Sequence, residues 1–228
     1  VIFDAPGVGL SADEIASLRN AVAAIPGLAE ARIMIADLTP SDQPFAKDGP
    51  GPALVLQLYF ATKDAAAASL AAGGALAELA GHAALSRLKD AHVSHQLMEA
   101  RLFPVGAGAP ADPCCTFFVT YPGTTADLAS WLDHYDANHP PIMRRFPRIR
   151  EVETYRPIAW TSGLGWARSD AMQRNKVVFD SLGDLIAALA SPVMEEMLAD
   201  GRAFAPRTGK TTHHPMTTYR VAGAAAKS

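Results

Sequence analysis

The sequence predicts an α+β fold built from two successive βαββαβ units. Three observations carry that prediction: strand-like segments in a repeated order, capped helices between them, and short anchors that recur about 120 residues apart. "VIFDA" (1–5) reads as a short strand. Ser11 and Glu14 then open "SADEIASLRNAVAAI" with the Ser-x-x-Glu spacing of a capping box, which satisfies two orphan N–H groups at a helix start. "AEARIMIADL" (29–38) alternates like a half-buried strand, and "ALVLQLYFAT" (53–62) is rich in strand formers. "KDAAAASLAAGGALAELAGHA" (63–83) reads as helix and "VSHQLMEARLF" (93–103) as the closing strand.

The order then recurs. After "PVGAGAPADP" (104–113) come a strand "CCTFFVTYP", a helix "TTADLASWLDHYDANH", and strands "REVETYRPIAW" and "KVVFDSLGD". A helix over "LGDLIAALASPVMEEMLAD" and a last strand "TTHHPMTTYRVA" complete the set. "IPGL" (25–28) matches "FPRI" (146–149), Phe60 matches Phe179, and His95 with Arg101 matches His214 with Arg220. Each copy is a split β-α-β unit, the ferredoxin-like arrangement. Its helices cover one face of the sheet, so the other face needs a partner. Two copies packed sheet to sheet supply one, which predicts a pseudo-dimeric α+β barrel within one chain. The expected boundaries are 1–106 for a degenerate, structural N-terminal module, 107–113 for a linker, and 114–228 for the module that carries the site.

Composition bounds the function. An apolar share of 49% with a net charge of −3 provides core material and no bias toward nucleic acid or anionic membranes. The most apolar long stretch, 65–80, is alanine- and glycine-rich and too weak for a bilayer span. Cys114 and Cys115 are adjacent, which disfavours a mutual disulfide and fits no CxxC motif, so a reducing cytoplasm is expected. The expected partner is a small-molecule substrate, with the two modules forming an intramolecular pseudo-dimer and a further homodimer left open.

The stretch "WLDHYDANHPPIMRRFPRI" (131–149) concentrates the candidate chemistry. His139 is expected in the last turn of its helix, stopped by Pro140 and Pro141, where a histidine can act as general base or simply bond the orphan carbonyls. His134 lies about 140° away around the helix. The pattern Tyr135, His139, Pro141, Pro147, Arg150 resembles the EthD-like proteins over residues 114 to 222, with Val152 where relatives carry an aromatic ring. That resemblance implies a compact cavity between sheet and helices, no cofactor, and chemistry on small organic molecules. Its relatives include lactone isomerases, halide-eliminating enzymes and cofactorless monooxygenases.

The expected catalytic set is His139, Arg150, Tyr121 and Tyr155, with His139 moving the proton and an Arg or Tyr polarising the substrate. His134, Arg145, Trp160, Phe179 and His214 are the expected substrate-binding residues. One cavity is expected in the second module, lined by His139 and the strands at 115–121, 151–160 and 176–181. No metal is expected, since the histidines lack HExxH spacing, and Gly209-Lys210-Thr211 lacks the P-loop glycine because position 204 is Phe. The reading is a cofactor-independent acid–base enzyme of isomerase or lyase type acting on a small cyclic or aromatic-derived molecule. A cofactorless monooxygenase and a non-catalytic binding or stress-response protein are the alternatives.

Overall fold

In the computed structural model, which describes residues 1–36 and 48–224, Ser11 caps the first helix as its spacing predicts. Its hydroxyl accepts from the Glu14 N–H at 3.3 Å, and the Ser11 N–H donates to the Glu14 carboxylate at 2.7 Å. The elements in chain order are β1 (Ile2–Asp4), α1 (Ala12–Ala23), β2 (Leu28–Ala36), β3 (Leu54–Phe60), α2 (Lys63–Leu70) and α3 (Ala75–Ala80). A 3₁₀ turn (Ala83–Leu88), β4 (His92–His95) and β5 (Met98–Phe103) follow. The second half comprises β6 (Cys114–Tyr121), α4 (Leu128–Met143), β7 (Glu151–Pro157), β8 (Ala167–Arg168), β9 (Gln173–Phe179), α5 (Leu182–Leu189), α6 (Val193–Ala203) and β10 (Thr212–Ala222). The last two residues of the strand expected at 29–38, and residues 225–228, lie outside the described residues.

All ten strands join one curled sheet in the order β5-β7-β9-β6-β10-β2-β3-β1-β4-β8. Within the first half the order is β2-β3-β1-β4, and within the second it is β7-β9-β6-β10, the same position for position. The halves meet edge to edge. β10 pairs with β6 through Thr212–Thr218 and with β2 through Met216–Ala222. The single strand expected at 93–103 breaks at Gln96 and Leu97, so that β4 pairs with β1 while β5 pairs with β7 of the other half. Because β4 and β5 are consecutive in the chain yet stand near opposite ends of the strand order, the sheet curls back on itself.

Alternation along the strands separates two environments. The outer faces bury apolar side chains under helices: Ile33, Leu54 and Leu56 with Leu18 and Val22 of α1 in the first half, Phe117, Val177 and Phe179 with Tyr135 and Leu185 in the second. The inner face holds a small apolar cluster of Met34, Val55, Phe118 and Met216. Beside it lies Lys176, fully buried, with Glu151 at 2.7 Å, Glu153 at 3.1 Å and the Tyr59 hydroxyl at 2.9 Å.

Three expectations about helices change. The helix expected over 182–200 divides at Ala190–Pro192 into α5 and α6. The helix expected over 63–83 divides into α2, α3 and the 3₁₀ turn, with Gly73 at φ +73° in the break, a conformation glycine adopts without a Cβ penalty. Pro140 and Pro141 do not stop the second helix either: α4 runs through both to Met143. Proline's fixed φ suits a helix, and its cost is a lost N–H bond and crowding of the carbonyl four residues earlier. That cost falls on the final turns only, and the Arg144 N–H still closes onto the Pro140 carbonyl at 3.0 Å. His139 is therefore held inside a helix rather than at its frayed end.

Candidate functional site

A cavity of about 530 Å³ lies between the outer face of β6 and β9 and the helices α4, α5 and α6. Its floor follows from strand pairing. Phe117 sits opposite Val177 and Val119 opposite Asn175, so alternate residues of both strands point the same way. Its roof is α6 and the segment leading into β10, through Arg202, Phe204, Pro206, Arg207, Gly209 and Thr211. That segment lies directly on Pro122–Thr124. A Cβ on Gly123 would collide with the Thr208 carbonyl, and one on Gly209 with the Pro122 carbonyl, so both close approaches require glycine.

His139 enters this cavity from α4. Trp131, Tyr135, His139 and Met143 recur at helical spacing and form the buried stripe of that helix. Asp200 of α6 meets the His139 ring, with 2.7 Å from Nδ1 to Oδ2. A carboxylate accepts only from an N–H, so the proton sits on Nδ1 and the Nε2 lone pair remains for a ligand. Burial lowers the His139 pKa from its ordinary 6.5, the Asp200 carboxylate opposes that shift, and nearby His213 adds to it. The imidazole is neutral at pH 7 and can accept a proton.

His213, at the start of β10, also lines the cavity. Its ring stacks on Phe117 at 5.6 Å between centroids, and its Nδ1 lies 2.8 Å from Asp48, which Lys210 also contacts at 2.8 Å. Burial lowers its pKa, against the pull of Asp48.

A tyrosine pair forms the deeper polar wall. The Asn175 amide N–H donates to the Tyr135 hydroxyl at 2.6 Å. The Tyr121 and Tyr135 rings meet edge-on at 5.4 Å. Burial raises the pKa of both, so both stay neutral phenols. Arg207 lies with its guanidinium carbon 5.1 Å from the Tyr121 ring centroid. It donates to the backbone carbonyls of Thr208 and Gly209, at 3.2 and 2.8 Å, and to the Thr211 hydroxyl. Among the described residues it has no carboxylate partner.

Of the residues singled out from sequence, His139, Tyr121 and Phe179 come together in this cavity. The others stand elsewhere. Arg150 is bound to Asp180 at 2.8 Å through Nε, on the surface side of the second half. Tyr155 faces the inside of the curled sheet and donates to Glu153 at 2.5 Å. His134 is on the exposed face of α4 beside Asn138, and Arg145 pairs with Glu196 in solvent. Trp160 packs on His95 and under Arg168, 3.9 Å from its ring centroid, and His214 lies against Gly51. β7 contributes nothing to the lining; the segment 201–211 takes the place expected for it. Asp200, Asn175, Arg207 and His213 were not assigned roles at this site from sequence. Asn175 shares its face of β9 with Gln173, Val177 and Phe179.

No family model matches the chain, and no curated protein matches it in sequence. Solved structures do resemble it. One is described as an anthrone oxidase-like protein, with a TM-score of 0.59 at 13% identity, over 99% of this chain and 92% of that one. Another is described as a "putative monooxygenase" from Lactobacillus acidophilus NCFM, with a TM-score of 0.50 at 8% identity, over 93% of this chain and 91% of that one. These structures share its fold, a mixed α+β fold with one curled ten-stranded sheet. No helix among the described residues is long and apolar enough to cross a membrane.

Proposed function

We propose that the cavity binds a small, mostly apolar organic molecule and that His139 moves a proton on it without a cofactor. The observation that carries this reading is the His139–Asp200 pair on the wall of a mostly apolar cavity. Nε2 of His139 takes a proton from a carbon beside a carbonyl, the electron pair passes into that carbonyl as an enolate, and Asp200 balances the imidazolium that results. Returning the proton to a different carbon completes an isomerisation; expelling a β-leaving group completes an elimination. A positioned histidine supplies about 10²–10⁴-fold in rate, and orientation in the cavity supplies the remainder.

The matching strand order of the halves supports reading residues 1–106 and 114–228 as two ferredoxin-like modules fused in tandem, the second carrying the site. Tyr135, His139, Pro141, Pro147 and Arg150 support a tie to the EthD-like proteins.

A second reading draws on the fold likeness to the anthrone oxidase-like protein. The same enolate can reduce O₂: a CH₂ group and O₂ become C=O and H₂O. Both readings begin with proton removal by His139, so one experiment tests them together. In D₂O, cyclic enones, unsaturated lactones and anthrone are followed by NMR for deuterium uptake beside the carbonyl or, in anthrone, at the CH₂ conjugated to it across the ring, with O₂ consumption recorded in parallel. Uptake that depends on protein and disappears in His139→Ala supports proton transfer, and O₂ consumption selects oxygenation. Binding of these compounds with no protein-dependent exchange or O₂ use makes the protein a binder.

A further inference from the structure

Asn175 is 1% exposed, lines the cavity, and its carbonyl oxygen Oδ1 has no hydrogen-bond partner among the described residues. A buried acceptor left unmatched is costly, so its presence in a packed wall calls for a partner. The Asn175 N–H donates to the Tyr135 hydroxyl at 2.6 Å, which leaves Oδ1 as the open function of the amide. Two polar functions then stand on one wall of the cavity: Oδ1 of Asn175, an acceptor without a partner among the described residues, and the Tyr121 hydroxyl, whose O–H can donate.

An acceptor beside a donor is the complement of a hydroxyl group, which donates one hydrogen bond and accepts another. A water molecule fits the same description, but the wall belongs to a cavity sized for an organic ligand, with Phe117, Val177 and Phe179 as its floor. Arg207 adds a charge. Its guanidinium lies over Tyr121 without a carboxylate partner among the described residues, so a hydroxyl held there acquires a cation close by.

We infer that Asn175 and Tyr121 form a hydroxyl subsite, and that the cavity takes hydroxylated aromatic or enolic molecules in preference to their O-alkylated counterparts. The inference rests on the binding half of the proposed function and is independent of proton transfer by His139. Asn175 and Tyr121 select the ligand by satisfying its hydroxyl, while Arg207 favours the more acidic hydroxyls, whose partial negative charge it stabilises. A site built to bond a hydroxyl rejects the analogue that lacks it strongly, because its own buried groups then go unpaired.

The test uses 1-naphthol and 1-methoxynaphthalene, which share a ring system and differ in whether the oxygen can donate. Both are titrated calorimetrically into the full chain. The expected result is at least about 10-fold tighter binding of 1-naphthol, falling to within about 3-fold in Asn175→Ala and reduced in Tyr121→Phe, while 1-methoxynaphthalene binds all three proteins alike. His139→Ala keeps the preference, which separates this subsite from the proton-transfer step. Equal binding of the two probes to the unaltered protein overturns the subsite while leaving the cavity as a binding site. A preference that survives both Asn175→Ala and Tyr121→Phe overturns it as well. Binding of neither probe overturns the subsite together with the binding reading beneath it.

Discussion

Asp200 on α6 reaches across to His139 on α4, 61 residues earlier, and holds its Nδ1 at 2.7 Å. The pair fixes which nitrogen carries the proton and ties together the two helices that wall the cavity. Removing the charge in Asp200→Asn withdraws the interaction that raises the His139 pKa. The expected result is a kcat lowered about 10-fold or more and a pH–rate midpoint moved further below 6.5. His139→Ala is expected to cost 10²-fold or more and His134→Ala little, since His134 is exposed. An unmoved midpoint in Asp200→Asn would remove Asp200 from the site's chemistry.

Acid should destabilise the fold before its carboxylates titrate. His139, His213, His214 and His95 all have pKa values lowered from 6.5, in each case first by burial. Between the folded pKa and 6.5 the unfolded chain binds more protons than the folded one, so stability falls as pH drops through that window. Below the folded pKa, these groups cause no further loss. Thermal melts are expected to show a Tm lower by several degrees at pH 5 than at pH 7.5; a flat Tm over that range contradicts the assigned burial.

Lys176 offers a contrasting case inside the curled sheet. Burial alone would push its ammonium toward neutrality, but Tyr59, Glu153 and Glu151 outweigh burial and hold its pKa above 10.5. Lys176→Met leaves the buried Glu153 without its cation and the half-buried Glu151 with Arg32 at 3.9 Å, a loss on the order of 3–5 kcal/mol. Adding Glu151→Gln and Glu153→Gln to Lys176→Met should recover much of it. Urea denaturation of the two variants reads the difference, and equal stability would show that the network is not coupled.

Cutting the chain within residues 104–113 should leave its halves together. β10 remains paired with β2 through Met216–Ala222, and β5 with β7 through Met98–Phe103, so each half supplies a strand to the other. Size-exclusion chromatography of protein cleaved at an engineered protease site is expected to show one peak of unchanged volume. Two separate folded halves would contradict the shared sheet.

Local chemistry determined much of this fold in advance. Strand alternation, the Ser11–Glu14 box and the recurrence of Phe60 at Phe179 and His95 at His214 place the order of elements, because each depends on neighbours a few residues away or on a visible repeat. His139 and Tyr121 were legible as candidates for the same reason: one stands in a helix beside a proline pair, the other ends an apolar strand. Tertiary structure alone decided their partners. Asp200, Asn175 and Arg207 reach the cavity through helix packing, sheet register and the glycine-dependent contact of Gly123 with Gly209, none of which leaves a spacing in the chain. The same holds for Arg150 and Tyr155, whose residue types suit catalysis but whose positions give them to Asp180 and Glu153. A side chain's chemistry is written in the sequence; which face of a curled sheet it occupies depends on strand pairings made across more than 100 residues, such as that of Met216 with Ala36.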